Sequence, residues 1–375
     1  MSDYEVLLAM SDTGGGHRSL CNAVADSLDA RGIPRDRIAI VDCFRLGRLS
    51  YVDALASRYG DMIRLAPKLY GGFFHATNQP PFDAVLRYSL DTTTAVKIAQ
   101  FLAQARPSVI VSAHALLTSP LARARRLVGS NAPYFGVVTE LVTVHRCWNV
   151  DAIDRYFTAT VPATSGLIRA GVGVERVERL GLPVDKRCKP DESRRQKTRS
   201  ELGLDSKDFC VLMIGGGEGA GQLERLARAV AELGFVRTLI VCGRNERLRS
   251  SLAGKLDPKS HRVYGYVDNV PDLMLASDVV VTKGGPQTLS EALACGRPVL
   301  VTSVLPGQEE GNESYVEQNG AGYAIHSTEH LVSRLSQLAA DPRLLRELSS
   351  TAAKLGSPDA ADAIADRIAA AGSRS

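Results

Sequence analysis

Residues 282–301 read TKGGPQTLSEALACGRPVLV, and the order of residue types in this stretch decides the fold class. An apolar run ending at Thr282 meets Gly284 and Gly285, then Pro286, then a helical pattern, then a second apolar run. Strand, turn, helix and strand in that order make one unit of a parallel α/β sheet. Glycine lets backbone N–H groups approach a ligand, proline suits the first turn of a helix, and a helix start attracts phosphate. Glu291 falls about one and a half turns further on, where a carboxylate accepts from both hydroxyls of a ribose, a contact of roughly 1.5–3 kcal/mol. The stretch therefore predicts a diphosphate held at Gly284, Gly285, Pro286, Gln287 and Thr288, with ribose on Glu291. Read alone, it is equally a plain strand-to-helix turn with a solvated glutamate.

The same texture extends outward in both directions. The runs EVLLAM, IAIVDC, SVIVSA, YFGVVT, FCVLMIG, TLIVCG, DVVVT and PVLVTS alternate with amphipathic segments, the pattern of parallel α/β sheets. In the first such segment Leu20, Ala23, Val24 and Leu28 share one stripe. Between residues 181 and 208 the chain becomes charged and proline-punctuated, which places a domain junction there. The expected division is residues 1–180 and 181–355, with a helix in 356–375 packing back across the junction. Two doubly wound units would bind ligands at the carboxyl ends of their strands, in one cleft.

Composition narrows the class. A chain of 375 residues exceeds the usual span of one core, and 45% hydrophobic with 23% charged residues is ordinary for a globular protein. The formal net charge of +4 permits an anionic ligand or membrane surface and does not indicate nucleic acid. Seven cysteines form no Cys-x-x-Cys pair, so a reducing compartment fits better than a disulfide framework. The N-terminus lacks a signal-peptide pattern and no apolar run is long enough to cross a bilayer, so any membrane contact is expected to be peripheral.

Four further constellations carry chemistry. SDTGGGHRSL places Gly14, Gly15 and Gly16 in a turn and His17 at the head of a helix, where imidazolium is disfavoured and a neutral base is kept; a tight turn with a capping histidine is the alternative. It is neither a Walker loop nor a dinucleotide fingerprint. VVTELVTVHRCWNV carries Glu140, His145 and Trp148 past a strand end, as a substrate pocket requires; a surface loop with a gap-filling tryptophan is the alternative. IGGGEGAGQ offers Gly216, Gly217, Glu218 and Gly219 to a diphosphate, weak evidence by itself. LPGQEEGN supplies Gln308, Glu309 and Asn312 with the donors and acceptors a hexose needs, or is a hydrophilic turn. Residues 59–78 mix Arg64 and Lys68 with Leu65, Leu69, Tyr70, Phe73 and Phe74, as a segment resting on anionic lipid does; core aromatics under a loop compete with that reading.

Together these motifs resemble the monogalactosyldiacylglycerol synthase and processive diacylglycerol glycosyltransferase branch of glycosyltransferase family 28. The resemblance rests on GGGH at 14–17, VVTELVTVH at 137–145, GLPV at 181–184, CGRN at 242–245, GYVDNVPDLM at 265–274, TKGGPQTLSEAL at 282–293 and PGQEEGN at 306–312. It implies a GT-B fold, two Rossmann-like domains facing a cleft, with acceptor on the first and UDP-sugar on the second. It implies inversion at the anomeric carbon without a bound metal or other cofactor, and no Asp-x-Asp triplet stands in the chain. His17 falls on the family's favoured catalytic histidine, with Glu140 and His145 as further catalytic candidates. Gly15, Gly16 and Trp148 would meet the acceptor; Arg244 lies in the CGRN motif, Val267 and Asn269 would flank uracil, and Glu291 would hold ribose.

Two departures stand out. Relatives usually read Thr-Asp where this chain has Thr139-Glu140, and they place an arginine after GLPV where this chain has Asp185, Lys186 and Arg187. The expectation is a cytoplasmic hexosyltransferase, peripheral on the inner membrane face, moving galactose or glucose from UDP to a lipid such as diacylglycerol. A soluble or undecaprenyl-linked acceptor, and a UDP-sugar 2-epimerase, are the alternatives.

Overall fold

The computed structural model describes residues 4–12, 15–47, 66–215 and 222–372. Two compact units divide the chain. The first comprises Met1–Pro183, Leu305–Glu310 and Asp359–Ser375, and the second Val184–Val304 and Gly311–Pro358.

The first unit runs β1 (Val6–Met10), α1 (Gly15–Asp29), β2 (Ile38–Asp42), α2 (Pro67–Thr77), α3 (Phe82–Ala105), β3 (Val109–Ser112), α4 (Thr118–Leu127), β4 (Tyr134–Val137), β5 (Arg155–Thr158), α5 (Val161–Arg169) and β6 (Val177–Arg179). Its sheet has the order β2-β1-β3-β4-β5-β6, every pairing parallel. β1, β3 and β4 are buried along their whole length, because helices cover both faces; that is why their sequences are unbroken apolar runs. The predicted stripe of α1 is buried at Leu20, Ala23, Val24 and Leu28.

The second unit runs α6 (Glu192–Glu201), β7 (Phe209–Ile214), α7 (Leu223–Ala231), β8 (Val236–Val241), α8 (Glu246–Ala253), β9 (His261–Tyr264), α9 (Val270–Ala276), β10 (Val279–Thr282), α10 (Pro286–Ala294), β11 (Val299–Val301), α11 (Asn312–Gln318), β12 (Gly322–Ala324), α12 (Thr328–Ala340) and α13 (Pro342–Leu355). Its parallel sheet has the order β12-β11-β10-β7-β8-β9, the doubly wound arrangement whose direction reverses between β7 and β10.

Four strands, β5, β6, β9 and β12, carry no long apolar run. β6, β9 and β12 are sheet edges, where few residues need burial, and β5 has only Tyr156 and Phe157 as apolar residues, with Thr158 buried beside them.

Two segments return to the first unit. α14 (Ala360–Gly372) packs on α1, with Ile364, Ala365 and Ile368 in the core beside Leu20, Val24 and Leu28, and Arg31 paired to Asp362 at 2.9 Å and Asp366 at 2.5 Å. Leu305–Glu310 also belongs to this unit, whereas the sequence placed it with the donor half. The reason is a close nesting on α2. A Cβ on Gly71 would lie 2.6 Å from Cβ of Pro306, and one on Gly307, whose φ is +84°, would lie 2.7 Å from Phe74. Tyr70 donates to Gln308 Oε1 at 3.0 Å and Thr143 donates to the Glu310 carbonyl at 2.8 Å.

Candidate active site

In the first sheet β2 and β3 lie on opposite sides of β1, so the carboxyl ends of β1 and β3 flank the reversal where α/β sheets bind ligands. His17 and His114 stand there. His17, in the first turn of α1, has Nδ1 2.8 Å from the Ala113 carbonyl, which only accepts, so Nδ1 carries the proton and Nε2 the lone pair. Burial holds its pKa below 6.5, against the smaller opposing effects of that hydrogen bond and of Asp12. A neutral imidazole with an available lone pair is what a general base requires. Asp12 is itself gripped by Arg18 through two contacts of 2.7 and 2.6 Å and accepted into place by its own N–H donating to Asp42 at 3.1 Å. The Gly15 and Gly16 expected to meet the acceptor lead into this turn, with Gly15 exposed; Gly14 lies outside the described residues.

His114 was not singled out by sequence reasoning. It lies two residues beyond β3 with no glycine turn to mark it, and its ring centroid is 4.9 Å from that of His17.

The second loop is built differently from expectation. Trp148, expected to line an acceptor pocket, is fully buried at 0% exposure; its indole N–H donates to Glu140 Oε2 at 2.8 Å, so it is core rather than lining. Glu140 is buried too, and burial pushes its pKa up to about 7 despite the Trp148 and Thr139 hydrogen bonds. No hydrogen bond joins Glu140 to His17 among the described residues. His145 has both ring nitrogens engaged. Nδ1 accepts from the Cys147 N–H at 3.1 Å, which places the proton on Nε2, 3.2 Å from the Thr77 hydroxyl. Its ring meets Phe74 edge-on, and burial lowers its pKa to about 4. That geometry makes His145 a clamp between α2 and the 145–148 turn rather than a base.

In the second unit the expected donor residues that the structure describes follow the carboxyl ends of β8, β9 and β10. Arg244 follows β8 and lies exposed over the Tyr266 ring at 5.2 Å; Val267 and Asn269 follow β9, Asn269 preceding α9 directly. Gly284 and Gly285 follow β10, and no side chain caps α10, whose first residue is Pro286. Gly284 has no room for a Cβ, which would lie 2.6 Å from Val304 Cγ1. Its N–H donates to Ser303 at 2.7 Å and its carbonyl accepts from Asn312 Nδ2 at 2.7 Å. Asn312 is 0% exposed, so it pins the glycine turn from behind instead of meeting a sugar. Gln287 donates to Glu291 Oε1 at 2.9 Å across one turn of α10, which fixes the carboxylate; Thr288 shares that half-buried first turn. Gly216, Gly217, Glu218 and Gly219 lie outside the described residues.

Gln308 and Glu309 are turned to the first unit's own structure. Gln308 accepts from Tyr70, and Glu309, 5% exposed, accepts from the Leu305 N–H at 2.8 Å. Of the two cations after GLPV, Arg187 is engaged by Asp185 at 2.8 Å and Asp272 at 3.8 Å and donates to the Asp268 carbonyl, whereas Lys186 is exposed. All seven cysteines are buried free thiols, and among the described residues no group of His, Cys, Asp and Glu has the arrangement of a metal site.

Known proteins resemble this chain across both units. The family model described as monogalactosyldiacylglycerol (MGDG) synthase matches residues 17–184, and that described as glycosyl transferases group 1 matches residues 194–355. Monogalactosyldiacylglycerol synthase 1, chloroplastic, of Arabidopsis thaliana is 30% identical over 95% of this chain and 69% of its own length. The chloroplastic enzyme of Spinacia oleracea is 30% identical over 96% and 71%. Among solved structures, Acinetobacter baumannii MurG aligns with a TM-score of 0.63 at 16% identity over 98% of this chain and 99% of its own. The S. aureus MnaA-UDP co-structure aligns at 0.64 with 14% identity over 97% and 96%. These two share the GT-B fold with this chain. With the fold, the paired switch points and relatives of this identity and coverage in view, the chain belongs to the monogalactosyldiacylglycerol synthase family of glycosyltransferases.

Proposed function

We propose that this protein moves a hexose, galactose or glucose, from its UDP donor to the hydroxyl of a lipid, diacylglycerol, with inversion. The observation that carries the reading is the proton placement on His17: Nδ1–H is held by the Ala113 carbonyl, so Nε2 is left to take the proton of an attacking hydroxyl. In the second unit the α10 start receives the diphosphate, Glu291 the ribose, and Val267 with Asn269 the uracil. Departing UDP is stabilised by backbone N–H groups and the helix start, with Lys186, exposed where Arg187 is engaged by Asp185, substituting for the relatives' arginine. Incubating the protein with UDP-galactose or UDP-glucose and diacylglycerol, and weighing the lipids by mass spectrometry, tests this. A UDP-sugar converted to its 2-epimer with no acceptor present would replace it with the epimerase reading, and transfer only to soluble alcohols would remove the lipid.

The membrane contact belongs to the same proposal. On α2 and α3 Leu69, Phe73, Phe82, Val85 and Tyr88 are 70%, 51%, 58%, 65% and 71% exposed. Between Lys68 and Lys97 the exposed positions carry one basic group, His75, and no carboxylate. The hydroxyls of Thr77, Thr92 and Thr93 donate to carbonyls of their own helices at 2.8, 3.1 and 2.8 Å, so these polar groups tolerate an apolar medium. Tyr70 and Phe74, expected on this surface, are buried against Leu305–Glu310; Arg64 and Leu65 lie outside the described residues. No helix among the described residues is long and apolar enough to cross a membrane. Attachment is therefore proposed as peripheral, at the cytoplasmic face where UDP-sugars are met. Flotation with vesicles of phosphatidylcholine, with and without phosphatidylglycerol, tests both contact and charge: Leu69→Ser with Phe82→Ser should lower binding several-fold and leave UDP affinity unchanged.

A further inference from the structure

The two imidazoles at the first unit's switch point are wired in opposite senses. His17 gives its Nδ1–H to the Ala113 carbonyl at 2.8 Å, whereas His114 Nδ1 accepts from the Leu116 N–H at 3.2 Å. A neutral imidazole holds one proton, so His17 offers a lone pair at Nε2 and His114 offers an N–H at Nε2. Neither Nε2 has a hydrogen-bond partner among the described residues, and both residues are half-buried. The rings lie 4.9 Å apart at 45°, close enough to serve oxygens on neighbouring carbons of one ligand. His114 is also held still. Phe44 meets its ring edge-on at 5.6 Å, and the Ser112 hydroxyl donates to its carbonyl at 3.1 Å. Burial, with the nearby His17 adding to it, keeps His114 well below the ordinary histidine pKa, so it remains a donor and does not compete for the proton.

We propose that His114 reads the acceptor: its Nε2–H donates to the carbonyl oxygen of an ester on the carbon next to the reacting hydroxyl, and so sets that hydroxyl against Nε2 of His17. The inference rests on the lipid-acceptor reading and narrows it to a hydroxyl flanked by an ester. In the step itself the hydroxyl oxygen bonds to the anomeric carbon, the bond from that carbon to the phosphate oxygen breaks with its electron pair leaving on UDP, and the hydroxyl proton passes to His17. His114 keeps its proton throughout and acts by positioning. A dialkylglycerol has the same hydroxyl and the same apolar bulk but no carbonyl.

Steady-state transfer to 1,2-diacylglycerol and to a dialkylglycerol of equal chain length, in the same mixed micelles, tests the assignment. The wild type should show a KM about tenfold higher for the ether lipid, with kcat changed much less, as the loss of one hydrogen bond requires. His114→Phe should raise the KM for the ester to the ether's value, and His114→Gln, which retains an N–H donor, should restore part of the preference. Equal KM values for the two lipids in the wild type would overturn the inference without recourse to any variant. So would a His114→Phe protein that loses kcat and keeps the ester preference, since that is the mark of a structural role. If UDP binds and neither lipid is glycosylated, the lipid-acceptor reading falls and takes this inference with it.

Discussion

The two switch points of this protein present different groups beside the ends of their strands. After β1 and β3 the groups proposed to act are side chains, two neutral histidines whose proton positions are dictated by backbone partners. After β10 the group proposed to act is backbone. Gly284 brings its peptide against Val304 and Ser303, and the buried Asn312 pins its carbonyl at 2.7 Å. The difference follows from the chemistry proposed for each. Taking a proton calls for a side chain whose pKa burial can tune, whereas holding a diphosphate calls for oriented N–H groups and the absence of a Cβ.

If that division holds, damage to the two places should separate into turnover and donor binding. His17→Ala should have the largest effect, lowering kcat roughly 10²- to 10⁴-fold while calorimetric UDP affinity stays unchanged. A variant with near-normal UDP release would end the case for a base on the first unit. Because burial lowers the His17 pKa, the wild-type acid limb of kcat/KM should fall below pH 6.5. Glu291→Ala should do the reverse, weakening UDP about ten- to a hundredfold, and should erase the preference for UDP over its 2′-deoxy form. Retention of that preference would place ribose elsewhere. Gly284→Ala forces a methyl onto Val304 and should cost about 1–3 kcal/mol of folding stability, seen as a lower denaturation midpoint. Lys186→Ala, at an exposed position, should weaken UDP only about two- to fivefold.

Glu140 sharpens the comparison from the side of stability. Its folded pKa of about 7 lies above the ordinary 4.5, so between those values the folded chain holds a proton that the unfolded chain has released. Stability should therefore fall as pH rises through that window, by at most about 1.4 kcal/mol per pH unit from this group. His145 acts oppositely: with a folded pKa of about 4 against 6.5, it adds stability as pH rises between them. Denaturation of Glu140→Gln beside the wild type isolates the first effect, and the stability difference should shift in favour of the variant from pH 4.5 to 7. A constant difference would mean that Glu140 is ionised in the folded protein despite its burial.

Much of this was legible in the residue order. Parallel strands buried on both faces must be continuous apolar runs, so β1, β3, β4, β7, β8, β10 and β11 announce themselves, and the turn after β10 is marked by Gly284 and Gly285. Edge strands such as β6 and β12 bury too little to leave that trace. Polar residues after strand ends were legible as a group and not as individuals. Glu140, His145, Trp148, Gln308 and Asn312 look alike in sequence, because a hydrogen-bonding side chain has the same letters whether it meets a ligand or a buried neighbour.

Sequence by itself determined the class of fold, the glycine turn at Gly284 and the family, since those depend on local periodicity and on spacing within single strand-helix units. Only the tertiary structure decided which nitrogen of His17 carries the proton, that His114 stands beside it, that Trp148 is core and that Leu305–Glu310 nests on α2. Each of these is a contact between residues distant in the chain: His17 with Ala113, Tyr70 with Gln308, Gly284 with Asn312. Such contacts are set by packing, and packing is a property of the folded volume that no local pattern of residues encodes.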